Sequence, residues 1–436
     1  MQKLIILLLI PTQLAVAQDK ILLEDCYKLA KENYPKLKNA EIWQKISSLK
    51  KENIKTGYLP KIEVKGQATY QSDVINIDIP VPEASIPAVP KDQYKAYAEI
   101  NQTIWDGGLT KVNTQLEEAL LKDNLNQLEV ELYKLKEQVA QAFFTALAME
   151  KQKAVLEAQK TVLKEKLETV RSGIENQVIE KTESFAMEAE ILTLEQKVIQ
   201  VQTGKSAALK ILSLLTDKDI PDNSKLEFQE PSVTYGSNIL RPELQLFSGK
   251  ISHLETQMEV LEKSRNPKIF GFGQAGYGKP GLNMLNDEFD TYYLMGIGLS
   301  WSPFDWQKTT RQKQVLQLQQ QMIRHEQETF SQNIKILLSQ QKEQINKLEK
   351  QLEKDKNIID LKTKIVKAAE SKLENGTITS SDYISEMQAE TIAKLNHELN
   401  KILLHEAREK YEIILGTDNK NGLDENSERE TQIKEE

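Results

Sequence analysis

The stretch PKIEVKGQATY, Pro60 to Tyr70, is written again as PKIFGFGQAGY, Pro267 to Tyr277. The copies lie 207 positions apart and agree at Pro, Lys, Ile, Gly, Gln, Ala and Tyr. The same shift carries Pro35 onto Pro242. A second strand-like segment and a very long helical one follow each copy, so the chain reads as two tandem copies of one unit. In the first copy Ile62, Val64, Gly66, Ala68 and Tyr70 share one face of a period-2 strand, and Lys61, Glu63, Lys65, Gln67 and Thr69 share the other. An apolar face backed by a charged one suits a barrel strand between lipid and water. It suits a half-buried soluble strand equally, so the flanking sequence has to decide.

Composition narrows the choice. The chain has 436 residues with only 18 Gly and 13 Pro, and Lys, Glu, Gln and Leu dominate, as in long helices. A formal charge of −8 and the lack of a basic block interleaved with aromatics argue against nucleic-acid binding. Residues 1–17 read as a secretory signal: Lys3, the apolar run Leu4 to Ile10, and Ala15-Val16-Ala17 before Gln18. That run is too short to span a bilayer and no other stretch is long enough, so membrane insertion would have to be as strands. The single cysteine, Cys26, cannot form an internal disulfide and reads as a small buried thiol on the first helix.

Along the chain, the first repeat covers 18–215. Leu22 to Asn33 is a short amphipathic helix, Pro35 breaks it, and Lys36 to Thr56 resumes as helix until Gly57. A strand pair follows at 60–71 and 93–105, around a loop (72–92) marked by Pro80, Pro82, Pro87 and Pro90. After IWDGG at Ile104 to Gly108, a helix runs from Leu109 to about Ser172. SGIENQ breaks it, and a second runs from Val178 to Leu215. Residues 216–235 read as a polar connector. The second repeat, 236–416, runs helix (Pro242 to Ser264), strands at 267–278 and 291–302, a helix after Trp306 to Glu374, the break ENGT, and a helix from Ser380 to Leu415. The acidic tail, 417–436, reads as disordered.

Helix lengths supply a geometric test. At 1.5 Å per residue the long helix of the first repeat spans roughly 96 Å, and the two shorter ones together roughly 88 Å. The second repeat gives roughly 105 Å against roughly 88 Å. Two short helices stacked end to end therefore match one long helix in each copy. Helices of that length draw stability from lateral packing along a face.

These features resemble the TolC family of outer-membrane channels, over Leu22 to Gly416. QTIWDGG (Gln102 to Gly108) is similar to the family's Q-P-L-F-D-G-G at the passage from barrel to tunnel, and LSWSPFDW (Leu299 to Trp306) is its counterpart. The breaks at Ser172 to Asn176 and Asn375 to Ile384 resemble the family's V-G-L…T-D-V-L turns, with Ser-Gly-Ile and Asn-Gly-Thr as departures. The resemblance implies a mainly α fold with a small β part. It implies a homotrimer in the outer membrane whose chains each give four strands to a twelve-stranded barrel and helices to a periplasmic tunnel. It also implies partners: a periplasmic adaptor at the tunnel tips, and an inner-membrane transporter. The tip residues so marked are Ser172, Gly173, Ile174, Asn375, Gly376 and Thr377, where Gly173 and Gly376 leave room for a close-packed partner hairpin. The family's acidic constriction maps onto Asp382, with Glu386 next to the position of the second aspartate; crowding in such a ring would raise carboxylate pKa values. An exposed acidic helix start accounts for the same residues without a gate.

Other motifs are weaker. Gly271-x-Gly273-x-x-Gly276 has the dinucleotide spacing but lies inside a strand that follows a helix, against that motif's context. His397 and His405, with Glu398 and Glu406 beside them, could put two imidazoles on one helix face, but a solvated face explains them too. No nucleophile–base order is present, so no catalytic residue, metal ligand or cofactor is expected. Trp105, Trp301 and Trp306 cluster at strand–helix junctions, as amphipathic rings do at a membrane interface. A periplasmic coiled-coil adaptor or structural protein is the alternative. An adaptor has one helical hairpin, whereas this chain has two, each fed by a strand pair.

Overall fold

The structure, a computed structural model, describes residues 20–74, 90–230, 235–236, 238–284 and 286–417. The stretch read as a secretory signal, most of the proline-marked stretch 72–92 and the acidic residues after 417 lie outside the described residues. The chain is mainly α with a small β part. It runs β1 (Lys20–Leu22), α1 (Leu23–Glu32), α2 (Asn39–Lys55), β2 (Lys61–Tyr70), β3 (Asp92–Trp105), α3 (Leu109–Glu175) and α4 (Lys181–Thr216). Then come β4 (Lys225–Glu227), α5 (Pro242–Lys263), β5 (Lys268–Lys279), β6 (Asp290–Ser300), α6 (Lys308–Glu374) and α7 (Ser380–Leu415). The helices α3 and α6 have 67 residues each, and α4 and α7 have 36 each. A shift of 199 carries both ends of α3 onto α6 and both ends of α4 onto α7.

Two compact units divide the chain, and the long helices thread both. One comprises Asn39–Gln127 and Glu243–Glu328: α2, α5, the four long strands and the adjoining parts of α3 and α6. The other comprises Met1–Lys38, Leu128–Pro242 and Thr329–Glu436. Its apolar core falls into three clusters. The first joins Leu23, Cys26 and Ala30 of α1 to Phe143 and Phe144 of α3 and Leu209 and Leu212 of α4. The second joins Leu163 and Leu167 of α3, Met187 and Leu194 of α4, Leu373 of α6 and Tyr383 and Met387 of α7. The third packs Ile345 and Leu348 of α6 against Tyr411 and Ile414 of α7. Cys26 is buried, and burial pushes its thiol up to about 12, so it is an inert packing group.

The connector is more than a polar link. Its Lys225–Glu227 forms β4, which pairs in parallel with β1, Ile21 opposite Leu226. Three-residue strands carry too few alternations for the sequence pattern to announce them, and only the long-range pairing makes them strands. Ile21 and Leu226 are both buried and join the first core cluster, whereas Lys20 and Lys225 stay exposed.

Candidate functional site

The four long strands form one antiparallel sheet in the order β2-β3-β5-β6. Opposed residues in such a ladder share a face, so the register sorts the side chains. Ile62 faces Ile100, Val64 faces Ala98, and Gly66 faces Ala96. Continuing across, Ile100 faces Gly273 and Ala98 faces Ala275, and these oppose Met295 and Tyr293 on β6. One face is thus apolar across all four strands, and it is open: Val64 is 84% exposed and Ile297 76%. The opposite face carries Lys61, Glu63, Lys65, Lys95 and Glu99, with Lys65 bonded to Glu99 at 2.8 Å and Glu63 at 2.9 Å. On its β5–β6 side, Phe272 lies over Gly296, where a Cβ would come within 2.7 Å of the ring. Gly271 and Gly273 fall on the apolar face within β5, not in a strand-to-helix turn, so the dinucleotide spacing is a strand pattern. The outer edges of β2 and β6 have no strand partner among the described residues.

Where the sheet passes into helix, the two halves build the same corner. Asp106 accepts hydrogen bonds from Gly108 N–H (2.9 Å), Thr110 N–H (2.6 Å) and the Tyr58 hydroxyl (2.6 Å). Burial pushes its carboxyl up, but those bonds outweigh burial and hold it at about 2. Asp305, 199 residues on, accepts from Thr309 N–H at 3.0 Å, and Arg265 lies 3.8 Å away. Both corners need two successive left-handed residues. The first uses Gly107 and Gly108 (φ 74° and 89°), and the second uses Trp306 and Gln307 (φ 53° and 62°). The aromatic residues at these corners are exposed: Trp105, Trp301, Phe304, and Trp306 at 89%.

At the other end of the helices the tips are also equivalent, though not residue for residue as the motifs suggested. In the first, Gln177 N–H donates to Ile174 O (3.0 Å) and Val178 N–H to Gly173 O (2.9 Å). In the second, Gly376 N–H donates to Leu373 O (2.9 Å) and Thr377 N–H to Lys372 O (2.9 Å). This is the Schellman pattern, closed by a left-handed residue: Gln177 at φ 62° and Gly376 at φ 67°. Asn176 and Asn375 each add a side-chain bond to the carbonyl four residues back, at 2.8 and 2.7 Å. The counterpart of Asn375, Gly376 and Thr377 is therefore Asn176, Gln177 and Val178. Ser172, Gly173 and Ile174 belong to the last turn of α3. Gly173 is not a vacancy for a partner: a Cβ there would meet Ile179 of its own tip at 2.5 Å, whereas Gly376 has open space around it.

Asp382 has a local task. It completes a capping box at the start of α7: its N–H donates to Thr379 Oγ1 (3.2 Å), and its carboxylate accepts from the Thr379 N–H (3.1 Å) and hydroxyl (2.8 Å). The Thr379 hydroxyl and then its N–H hold the Asp382 carboxyl below its ordinary value. Glu386 lies 3.5 Å from Lys362 of α6. Two further residues, absent from the sequence reading, tie the tips together. Glu183, third residue of α4, accepts from Ser380 N–H at the buried start of α7. Lys166 of α3 pairs with Glu370 and with Glu374 (2.9 Å) of α6. The signal for Glu183 was its alignment with Asp382 under the 199 shift; its cross-helix partner has no sequence signature.

His405 is not on a solvated face. It is buried with its ring edge-on to Phe228, 4.8 Å between centroids, and burial lowers its pKa. Among the described residues no group of three or more His, Cys, Asp or Glu is placed to hold a metal ion, and no helix is long and apolar enough to cross a membrane.

No known family profile and no curated relative matches the sequence. Solved structures do match over nearly the whole chain. The CmeC outer membrane channel of Campylobacter jejuni aligns over 90% of this chain and 85% of its own, at 14% identity and TM-score 0.61. CusC aligns over 91% of each chain at 12% identity and TM-score 0.66. The open state of the MtrE outer membrane channel of Neisseria gonorrhoeae aligns over 90% and 88%, at 13% identity and TM-score 0.63. The fold is that of the TolC-type outer-membrane channels. Within that fold, β2, β3, β5 and β6 make the β part, and the four helices α3, α4, α6 and α7 make the helical part.

Proposed function

We propose that the protein is an outer-membrane exit duct: a homotrimer whose chains close a twelve-stranded barrel and carry cargo passively through a periplasmic helical tunnel. The observation that carries this reading is the sheet. Its apolar face is open across four strands, its other face carries the charges of β2 and β3 and the aromatic and glycine residues of β5 and β6, and both edges lack a strand partner among the described residues. An edge left open in lipid strands backbone groups at several kcal/mol each, so the sheet needs further copies to close. A passive conduit of this kind needs no catalytic group or cofactor. Trp105, Trp301 and Trp306 sit at the corners beneath the apolar face, where a membrane interface would hold indole rings. The test is fractionation followed by mass measurement in detergent: the protein is expected in the outer membrane as a trimer. A soluble periplasmic monomer would overturn the reading.

The tips would serve as the docking ground for a periplasmic adaptor linked to an inner-membrane transporter, with the exposed turns Asn176–Val178 and Asn375–Thr377 at the contact and Ser172, Gly173 and Ile174 shaping the first turn from within. Asp382 and Glu386 would form the acidic mouth. Because Asp382 also caps α7, alanine there removes a cap along with the charge; Asp382→Asn with Glu386→Gln removes the charge and keeps one acceptor oxygen on each side chain, enough for the Thr379 bonds that a single Asp382 oxygen accepts. That variant is expected to lower cation selectivity in planar bilayers at least twofold while the trimer persists. Unchanged selectivity would return both residues to capping and surface pairing.

A further inference from the structure

The two halves already display how one repeat meets the next. Strand β3 of the first pairs with β5 of the second, Ala96 opposite Tyr277, Ala98 opposite Ala275, Ile100 opposite Gly273 and Gln102 opposite Gly271. At the corner below, each half uses its own linker, and the first half also uses the following one. Tyr58 bonds Asp106 of its own half, and Arg265, its counterpart 207 residues on, reaches Pro303 O (3.1 Å) and Asp305. Asn266, the next linker residue, seats on the preceding corner: its amide donates to Gly107 O at 2.7 Å, and a Cβ on Gly107 would overlap it.

The second half has no such neighbour among the described residues. The outer edge of β6 is unpaired, and Trp306, in the place of Gly107, is 89% exposed. The missing neighbour's equivalents exist at the start of the same chain. The unpaired edge of β2 corresponds to β5, and Leu59, 59% exposed, corresponds to Asn266. We infer that β2 of a second copy adds to β6 in the register by which β5 adds to β3, and that Leu59 of that copy covers Trp306. Transferring the pairs by the two shifts, 207 and 199, sets Met295 opposite Tyr70, Ile297 opposite Ala68, Leu299 opposite Gly66 and Trp301 opposite Val64. Every one of these pairs falls on the apolar face, as a lipid-facing seam requires; a slip by one residue would put Lys65 or Gln67 beside Ile297 or Leu299. An apolar Trp–Leu contact replaces the amide-on-glycine contact. That substitution gives a use to a left-handed tryptophan, a conformation that L residues with side chains rarely adopt. Contact with a second copy is a head-to-tail one, which closes when the rotation allows a ring.

The inference rests on the multi-copy barrel proposed above, and the test separates the two. In a Cys26→Ala background, Ile297→Cys is combined in turn with Ala68→Cys, Val64→Cys and Ser72→Cys, then oxidised. Directly opposed residues lie about 4.5–5.5 Å apart, whereas residues displaced along the strand exceed the reach of a disulfide. The Ala68 pair is expected to give covalent oligomers on a non-reducing gel at least fivefold above the other two. A trimer in detergent that cross-links best at Val64 or Ser72, or at none of the three, overturns the register and leaves the barrel reading intact. A monomer in detergent overturns both. As a second arm, Trp306→Gly and Leu59→Asn are each expected to lower the detergent-resistant trimer at least threefold, and the double variant, which recreates the Gly107–Asn266 pair, to recover most of it. A double variant weaker than either single one removes the Trp306–Leu59 contact.

Discussion

Both halves of the chain turn the same corners, but they spend glycine at opposite ends. At the sheet the first half has Gly107-Gly108 where the second has Trp306-Gln307, and at the tip the second half has Gly376 where the first has Gln177. The backbone is left-handed in every case. What holds it is the hydrogen bonding around it, the aspartate cap at the sheet end and the Schellman bonds at the tip, and not the identity of the turning residue. Left-handed backbone disfavours ordinary L residues by roughly 1–2 kcal/mol each, so each half tolerates that penalty at one of its two ends. Space decides where glycine is obligatory: Gly107 is covered by Asn266, while Trp306 points into the open.

The largest effect should come from exchanging residues against that logic. Gly107→Trp copies the second corner into the first, but its side chain has no room beside Asn266. Overpacking and left-handed strain together should destabilise the chain by about 3 kcal/mol or more. A lower urea midpoint for the full chain in detergent, or loss of assembled protein from membranes, would show it. Equal stability of Gly107→Trp and parent would mean the two corners are interchangeable. Gly173→Val comes next. It has ordinary helical backbone, so its effect is steric alone, against Ile179 at 2.5 Å. We expect about 1–3 kcal/mol and a tip that frays, seen as faster amide exchange at Gln177 and Val178. Normal protection there would show that Ile179 moves aside freely.

How much of this was legible depends on the range of the interactions. Period-2 alternation placed β2, β3, β5 and β6, because each carries a run of apolar residues on one face along its length. The starts of α3 and α7 were legible to the residue, since Gly108 and Thr379 are local chemistry. What escaped has distant causes. The strand β4 exists through pairing with β1, some 200 residues away, and Glu183 caps a helix in the other half. Left-handed backbone at Trp306 and Gln177 escaped as well, because neither side chain advertises it. Gly173 was misread for the related reason that a glycine can mark either a turn or a close contact, and only the position of Ile179 distinguishes them.

The caps offer a middle-sized comparison. Asp106 accepts three hydrogen bonds and Asp305 fewer, so Asp106→Ala should weaken its corner by about 2 kcal/mol and Asp305→Ala by about 1 kcal/mol. The Asp106 carboxyl lies at about 2, below its ordinary 3.8. Its contribution is therefore complete above about pH 4 and is lost as the pH falls from there through about 2. The stability gap between parent and Asp106→Asn should accordingly shrink as the pH falls from about 4 to about 2. A gap that stays constant would mean that the carboxylate's charge is not what the corner uses.

The smallest effect is the cleanest test of whether the tips are one structure. Gln177 and Gly376 close identical hydrogen-bond patterns at φ 62° and 67°, and both are exposed, so exchange at either site alters no packing. Only the backbone preference of the residue remains. Gln177→Gly should then stabilise the first tip, and Gly376→Gln should destabilise the second, each by about 1 kcal/mol. The unfolded chain works against both, because glycine there has more freedom to lose, which trims the gain and the loss alike. The two sites belong to separate tips, so the double exchange should return close to the parent value, within the additivity expected of independent sites. Amide exchange at Val178 and Thr377, the donors that close the two turns, reads each tip separately. If Gln177→Gly slows neither exchange nor unfolding, the glutamine side chain is stabilising its own turn, and the two tips are alike in hydrogen bonds but not in energy.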